Sequence, residues 1–280
     1  MDDRVPSSDD PVDTAAALEE MLAFLTVRPD GDAGDAWIGE APEWFGDYLF
    51  GGFVIAQSII AATRNAPEGR RLHSLHAYFL RPVFAGKPVS YLVRPLREGR
   101  SFTSRRLEAS QDGKPVLDMT CSFAADTEGY VYDLPGAPDI PPREEGRFES
   151  GPGPWVAHHI GPTPAAADGT RESTHRMWFR IPHALPEDVH LHTAMLGFAT
   201  DWTETGGRPL HLEGDITGMV SLDHAAWFHR PARADEWLFY DVHSLVNAGG
   251  RGLLRGAIRD TDGRVVISVA QEMRLTPIEA

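Results

Sequence analysis

The stretch Ser221 to Pro231 reads SLDHAAWFHRP, and an earlier stretch, Leu72 to Pro82, reads LHSLHAYFLRP. An offset of 149 (226 minus 77) sets Ala77 on Ala226, Tyr78 on Trp227, Phe79 on Phe228, Arg81 on Arg230 and Pro82 on Pro231. The same offset carries Tyr91 onto Tyr240, Val93 onto Val242 and Arg106 onto Arg255. After one inserted residue, Asp112-Gly113 meets Asp262-Gly263, Lys114 meets Arg264 and Val116 meets Val266. A register held that far with a single slip marks an internal repeat. The chain therefore reads as two copies of one unit, each of ordinary domain size.

Working outward from these stretches, each copy shows the same order of elements. In the first half AWIGE predicts a strand. Residues Phe50 to Arg64, FGGFVIAQSIIAATR, then give two glycines and a mostly apolar run interrupted at Gln57 and Ser58. A helix apolar on most sides has to be buried. Four strands follow, HSLHAYFLRP, PVSYLVRPLRE, FTSRRLEASQ and KPVLDMTCSFA, separated by turn signals at AGK, EGR and QDG. Consecutive strands with short turns predict a meander that wraps its apolar face around the helix. The second half repeats the order with the strand HRMWFRIP, the helix HLHTAMLGFATDWTE and the strands MVSLDHAAWFHRP, EWLFYDVHSLVNA, RGLLRGAIRD and RVVISVAQEMRL. Before the first repeat, DTAAALEEMLAFL offers an N-cap and apolar residues at Leu18, Met21, Leu22 and Leu25, a short amphipathic helix. The expected division is a disordered tail over residues 1–12, an N-terminal repeat over 13–125, a linker over 126–173 and a C-terminal repeat over 174–280. The linker, which contains PGAPDIPPREEG and GPGPW, is expected to hold little regular structure.

Composition narrows the function. With 26 Lys and Arg against 41 Asp and Glu the net charge is −15, which disfavours nucleic acid as a partner because phosphate contacts need clustered cations. A single cysteine, Cys121, rules out an internal disulfide framework and suits a reducing, cytoplasmic setting. No apolar run approaches the roughly 20 residues that span a bilayer, so no membrane insertion is expected. The start, MDDRVPSSDDPVD, has neither an apolar core nor basic residues enough for a signal or transit sequence. His158-His159 and His190-x-His192 resemble metal pairs, but no third ligand stands at helpful spacing. No metal or other cofactor is implied.

The layout is α+β: a double hotdog, two repeats each with a long helix wrapped by a curved antiparallel sheet. With it come the motifs FGGxVxxQ at Phe50 to Gln57, HSLHAYFLRP, SFTSRR at Ser101 to Arg106, QDGKPVLDMTCSF, LGFATD at Leu196 to Asp201, SLDHAAWFHRP and SVAQE at Ser268 to Glu272. In this order they resemble the acyl-CoA thioesterase II family of double-hotdog enzymes. The resemblance runs from about residue 14 to the end, the linker excepted. It implies hydrolysis of acyl-CoA to free fatty acid and CoA without a covalent intermediate, and a homo-oligomer, dimer or tetramer. It also implies a catalytic trio of Asp201, Ser221 and Gln271. Many relatives carry Thr where this chain has Ser221, which keeps the hydroxyl, and Gln where this chain has Phe53.

The implied chemistry suits those residue types. A thioester is already activated, so hydrolysis needs an oriented water, a base and a donor for the developing oxyanion. Asp201 supplies the base, and Ser221 and Gln271 can hold the water by hydrogen bonds. Gly51 and Gly52, ahead of the first long helix, allow a ligand to approach the backbone N–H groups there. Arg106 and Arg255 are candidates for the CoA phosphates, since guanidinium pairs bidentately with phosphate. Each trio residue alone has an ordinary explanation: a helix-end carboxylate, a strand serine, a surface glutamine. The repeat argues otherwise. Ser221 falls on Leu72 and Gln271 falls on Cys121, and no acid lies between Phe50 and Arg64, so the second half should carry the chemistry. His224 is read as a structural hydrogen-bonder. Two alternatives remain open: a hydratase or dehydratase on the same fold, which would use a His or an acid on the helix, where the second helix offers His192 and Asp201, and a non-catalytic acyl-CoA binding protein.

Overall fold

The computed structural model describes residues 13–32, 34–44, 46–133, 140–161, 174–203 and 216–277; the expected tail over 1–12 lies outside them. Helix α1 (Thr14–Leu25) is capped by the Asp13 carboxylate, which accepts from Ala15 and Ala16 N–H, and it buries Leu18, Met21 and Leu25. Strands β1 (Arg28–Pro29) and β2 (Ala36–Gly39) lead to helix α2 (Gly51–Arg64). Then come β3 (Arg70–Phe79), β4 (Val89–Glu98), β5 (Phe102–Gln111) and β6 (Lys114–Ala125). A hairpin, β7 (Arg147–Ser150) and β8 (Val156–Ile160), precedes β9 (Thr174–Arg180) and helix α3 (Val189–Thr200). The chain closes with β10 (Ile216–Ser221), β11 (Asp223–Phe228), β12 (Leu238–Ala248), β13 (Arg251–Arg259) and β14 (Val265–Pro277).

Among the described residues these strands form one sheet in the order β1-β2-β4-β5-β6-β3-β11-β14-β13-β12-β9-β8-β7, with β10 on β14. The segment β2-β4-β5-β6-β3 is matched, in reverse, by β11-β14-β13-β12-β9, so the two halves are related by a local two-fold. That axis passes between His76 and Ala225, which are counterparts at the offset of 149 (225 minus 76) and directly paired partners. The two similar stretches of sequence are thus the seam that joins the halves.

Two expectations need correction. The four strands of a half are not a simple meander: β3 pairs with β6 and not with β4. The edge of β4 is taken by β2, which leaves the other edge of β3 free to pair with β11. The segment read as a linker also carries structure. Its GPGPW run makes the turn of the β7–β8 hairpin, where Gly151 N–H donates to Trp155 O at 2.8 Å, and β8 extends the sheet on β9. Trp155 is fully buried and stacks on Phe198 of α3 with 6.3 Å between centroids.

Both long helices lie on the inner face of the sheet, packed against each other. On α2 even the polar Gln57 is buried. Its Nε2 donates to Phe24 O and Glu40 O, and its Oε1 accepts from the Tyr91 hydroxyl. Gly197 lets α3 approach α2 closely, since a methyl group there would lie 2.3 Å from Ile59 Cδ1. The helices run past each other with the start of α2 beside the end of α3.

Candidate active site

Helix α3 stops at Thr200, and Asp201 is its C-cap, with φ −85° and ψ −1°. The carboxylate is therefore a helix-end group, yet it is only 4% exposed, because the start of α2 covers it. A methyl group on Gly51 would lie 2.7 Å from Asp201 Oδ2. One on Gly52 would lie 2.4 Å from Phe198 O and 3.2 Å from Asp201 Cβ. The glycine pair is required by this approach and not by an unusual φ.

Ser221 ends β10, opposite Met273 of β14. At Leu222 the chain steps across, its N–H donating to Glu272 O and its carbonyl accepting from Phe79 N–H, so that β11 can pair with both β14 and β3. Gln271 lies on the inner face of β14 with Val269 and Met273, fully buried. The three side chains meet. Gln271 Nε2 donates to Asp201 Oδ1 at 2.7 Å and to Ser221 Oγ at 2.6 Å, and Ser221 Oγ donates to Asp201 Oδ1 at 3.4 Å.

Further buried groups surround the trio. Gln271 Oε1 accepts from Thr203 Oγ1 at 3.2 Å and lies 3.2 Å from His224 Nδ1. On the far side of the ring, Nε2 is 2.8 Å from Thr200 Oγ1. Burial pushes the His224 imidazole down to about 4, against a smaller upward pull from its bond to Gln271, so it is neutral near pH 7. Tyr240 donates to Thr200 O at 2.8 Å; burial, and then the Asp201 charge, raise its phenol well above the ordinary value. The sequence reading did not single out Thr200, Thr203 or Tyr240. Thr200 and Thr203 flank Asp201 in FATDWTE, and that proximity was the available signal. The neighbouring Asp223 carboxylate accepts from Glu272 N–H at 2.7 Å.

The structure brings Gly51 and Gly52 to the trio but not Arg106 or Arg255. Both arginines lie on the outer face of the sheet. Arg255 is exposed beside Leu254, and it is Leu254 that faces Gln271 on the inner side. Arg106 is held by Asp118 through three hydrogen bonds, which raise its guanidinium above the usual value. His192 is also remote. It sits in the first turn of α3, nine residues (201 minus 192) before Asp201, and its Nδ1 accepts from Ala234 N–H at 3.1 Å. Among the described residues no group of three or more His, Cys, Asp or Glu is placed to hold a metal ion.

Family models describe the same two halves. An acyl-CoA thioesterase N-terminal domain matches residues 41–124, and an acyl-CoA thioesterase C-terminal domain matches residues 125–275. The chain belongs to the acyl-CoA thioesterase family. It is 31% identical over 257 residues to acyl-CoA thioesterase 2 of Haemophilus influenzae, covering 84% of this chain and 90% of that one. It is 30% identical over 252 residues to human acyl-coenzyme A thioesterase 8, covering 80% and 79%. Among solved structures, the tesB protein of Mycobacterium avium subs paratuberculosis superposes with a TM-score of 0.79 at 30% identity, over 93% of this chain and all of that one. The match to the C-terminal domain begins at residue 125 and so includes the β7–β8 hairpin of this chain.

Proposed function

We propose that the chain hydrolyses acyl-CoA thioesters to a free fatty acid and CoA, with Asp201 as general base and Ser221 and Gln271 as the groups that hold the attacking water. The observation that carries this reading is the buried cluster of all three side chains against the first turn of α2. Water attacks the thioester carbonyl carbon while Asp201 takes its proton. The tetrahedral intermediate then expels the CoA sulfur, and the proton from Asp201 returns to the departing thiolate. The N–H groups of the first turn of α2, whose glycines lie against Asp201, stabilise the oxyanion. The Phe50 N-cap makes no side-chain bond that would compete for them. Arg106 and Arg255 have no part in this geometry.

A hydratase that used His192 together with Asp201 loses support because the two stand at opposite ends of α3, roughly 13 Å apart at 1.5 Å per residue. A cytoplasmic location belongs to the proposal, supported by the one buried free cysteine. Assembly into a homo-oligomer belongs to it too, carried over from the family resemblance.

The test is thiol release from a series of acyl-CoA esters of increasing chain length, with Asp201→Asn beside the wild type. Loss of a base of this kind costs about 100- to 10,000-fold in rate, and that loss is expected in kcat. Binding of acyl-CoA by both proteins with thiol release by neither would leave the non-catalytic reading in its place. Water addition to an enoyl-CoA would restore the hydratase.

A further inference from the structure

The amide of Gln271 is satisfied at every position: both Nε2 hydrogens are donated, to Asp201 and Ser221, and both Oε1 lone pairs have a neighbour, Thr203 and His224. An amide in such a cage can sit in only one of its two orientations, and the chemistry depends on which. With Nε2 toward Asp201 the carboxylate accepts a hydrogen bond. Turned over, Gln271 Oε1 would face Asp201 Oδ1 at 2.7 Å, two oxygens repelling unless the carboxyl is protonated and lost as a base.

We infer that His224 is the positioning residue that fixes this choice: it is held as the Nδ1–H tautomer, donates to Gln271 Oε1, and so keeps the amide hydrogens on Asp201 and Ser221. The ring is 1% exposed and neutral near pH 7, so it carries one hydrogen. If that hydrogen were on Nε2, two bare acceptors would face each other across 3.2 Å at Nδ1 and Oε1. With it on Nδ1, Nε2 accepts from the Thr200 hydroxyl, whose single hydrogen is shared with Gly197 O at 2.7 Å. The chain of donors then runs one way, from Thr200 through His224 and Gln271 to the carboxylate. The turned amide would instead donate to Nδ1, and Nε2 would carry the hydrogen. The ring tautomer therefore reports the amide orientation.

The two-fold repeat supplies an independent observation. At the offset of 149, His224 falls on Leu75, buried in the other half, just as Ser221 falls on Leu72 and, past the inserted residue at the offset of 150, Gln271 falls on Cys121. A structural histidine needed for the strand itself would serve either copy. This one occurs only where Gln271 does.

The inference rests on the hydrolytic reading for its consequence but not for its first test. Full-length protein labelled with 15N-histidine is recorded in a long-range proton–nitrogen correlation spectrum, and the His224 ring among the 12 histidines is assigned from its loss in His224→Asn. The Nδ1–H pattern is expected; an Nε2–H or imidazolium pattern overturns the proposal, whether or not the protein releases thiol. The kinetic test compares His224→Leu and His224→Asn in the wild-type and Gln271→Ala backgrounds. In the first, Leu is expected to lower kcat about 10- to 100-fold with little change in KM, as misplacement of a reacting group does, and Asn, whose amide N–H stands near the place of Nδ1, to recover most of it. In the second, the Leu substitution is expected to add little, because a group acting through Gln271 has nothing left to act on. The full loss repeated in the Gln271→Ala background would make His224 merely structural. Absence of thiol release from the wild type would remove the hydrolytic reading while the spectrum still decides the tautomer.

Discussion

Gln271 shows how much a single neutral side chain contributes at the residue scale. Its Nε2 lies 2.7 Å from Asp201 Oδ1, so Gln271→Glu would set a second carboxylate there with almost no change in shape. Two carboxylates that close cannot both ionise, and the like charge raises the pKa at which the pair gives up its shared proton. The base form of Asp201 is then populated only at higher pH. The lower limb of the kcat–pH profile is expected to move up by at least about one unit, with a lower rate at pH 7. An unmoved limb would mean that Asp201 is not the group it reports. Asp201, Ser221 and Gln271 were legible in the sequence through the resemblance and through their absence from the first repeat. The bonds of Thr203 and His224 to Gln271 were not, because they join residues 47 to 68 positions apart along the chain. The alternation around the two candidate phosphate arginines was readable: Leu107, Ala109 and Leu254 are the apolar positions, and Arg106 and Arg255 stand out of phase with them, on the outer face.

At the scale of elements, the candidate active site is a crossing of helix ends, and the double glycine sets how near they come. Gly52 has ordinary backbone angles; what it lacks is room, with Phe198 O 2.4 Å from where a methyl carbon would stand. A carbonyl oxygen in the last turn of a buried helix cannot rotate away. Gly52→Ala is therefore expected to destabilise the protein by about 1–3 kcal/mol or more, seen as a lower urea midpoint at an unchanged slope. It should also cut thiol release by moving the first turn of α2 away from Asp201. A midpoint equal to the wild type would show that α2 and α3 yield more readily than their packing implies. The helices themselves were plain in the sequence from their apolar runs. The pairing of β3 with β6 was hidden, since strand order is decided by which edges remain free once β2 and β11 are in place, and no local pattern carries that. The β7–β8 hairpin was masked by its Pro and Gly, which mark turns and linkers alike.

At the scale of the whole molecule, two of the buried histidines among the described residues, His175 and His224, are neutral rings pushed by desolvation to about 4 from 6.5. In the unfolded chain both regain the ordinary value, so below pH 6.5 the unfolded state binds more protons than the native one. Their contribution to stability is complete above about pH 6.5 and is lost as the pH falls to about 4, by something like 3 kcal/mol for each ring. Urea unfolding followed across that window is expected to show falling stability, with a shallower fall in a His224→Leu variant. A flat profile would contradict neutral burial of the rings. The two-fold also lets the candidate site be compared with its counterpart in the other half, among the described residues. At the other end of the helix pair the C-cap is Asn65, Cys121 stands where Gln271 would be, and the buried guanidinium of Arg105 bonds to both Asn65 O and Asn65 Oδ1. That space is filled.

The β3–β11 seam has a consequence for how the protein answers to dilution. Asp201 and its glycine cover belong to opposite halves, so a site made from two separate copies would come apart by mass action as concentration fell. Joined in one chain, the halves meet at a concentration fixed by their tether, and the site persists however scarce the protein becomes. Fusion also releases each half from having to do everything: one could surrender its polar side chains to Leu72, Leu75 and Cys121 without loss, because its neighbour is always the same and always present.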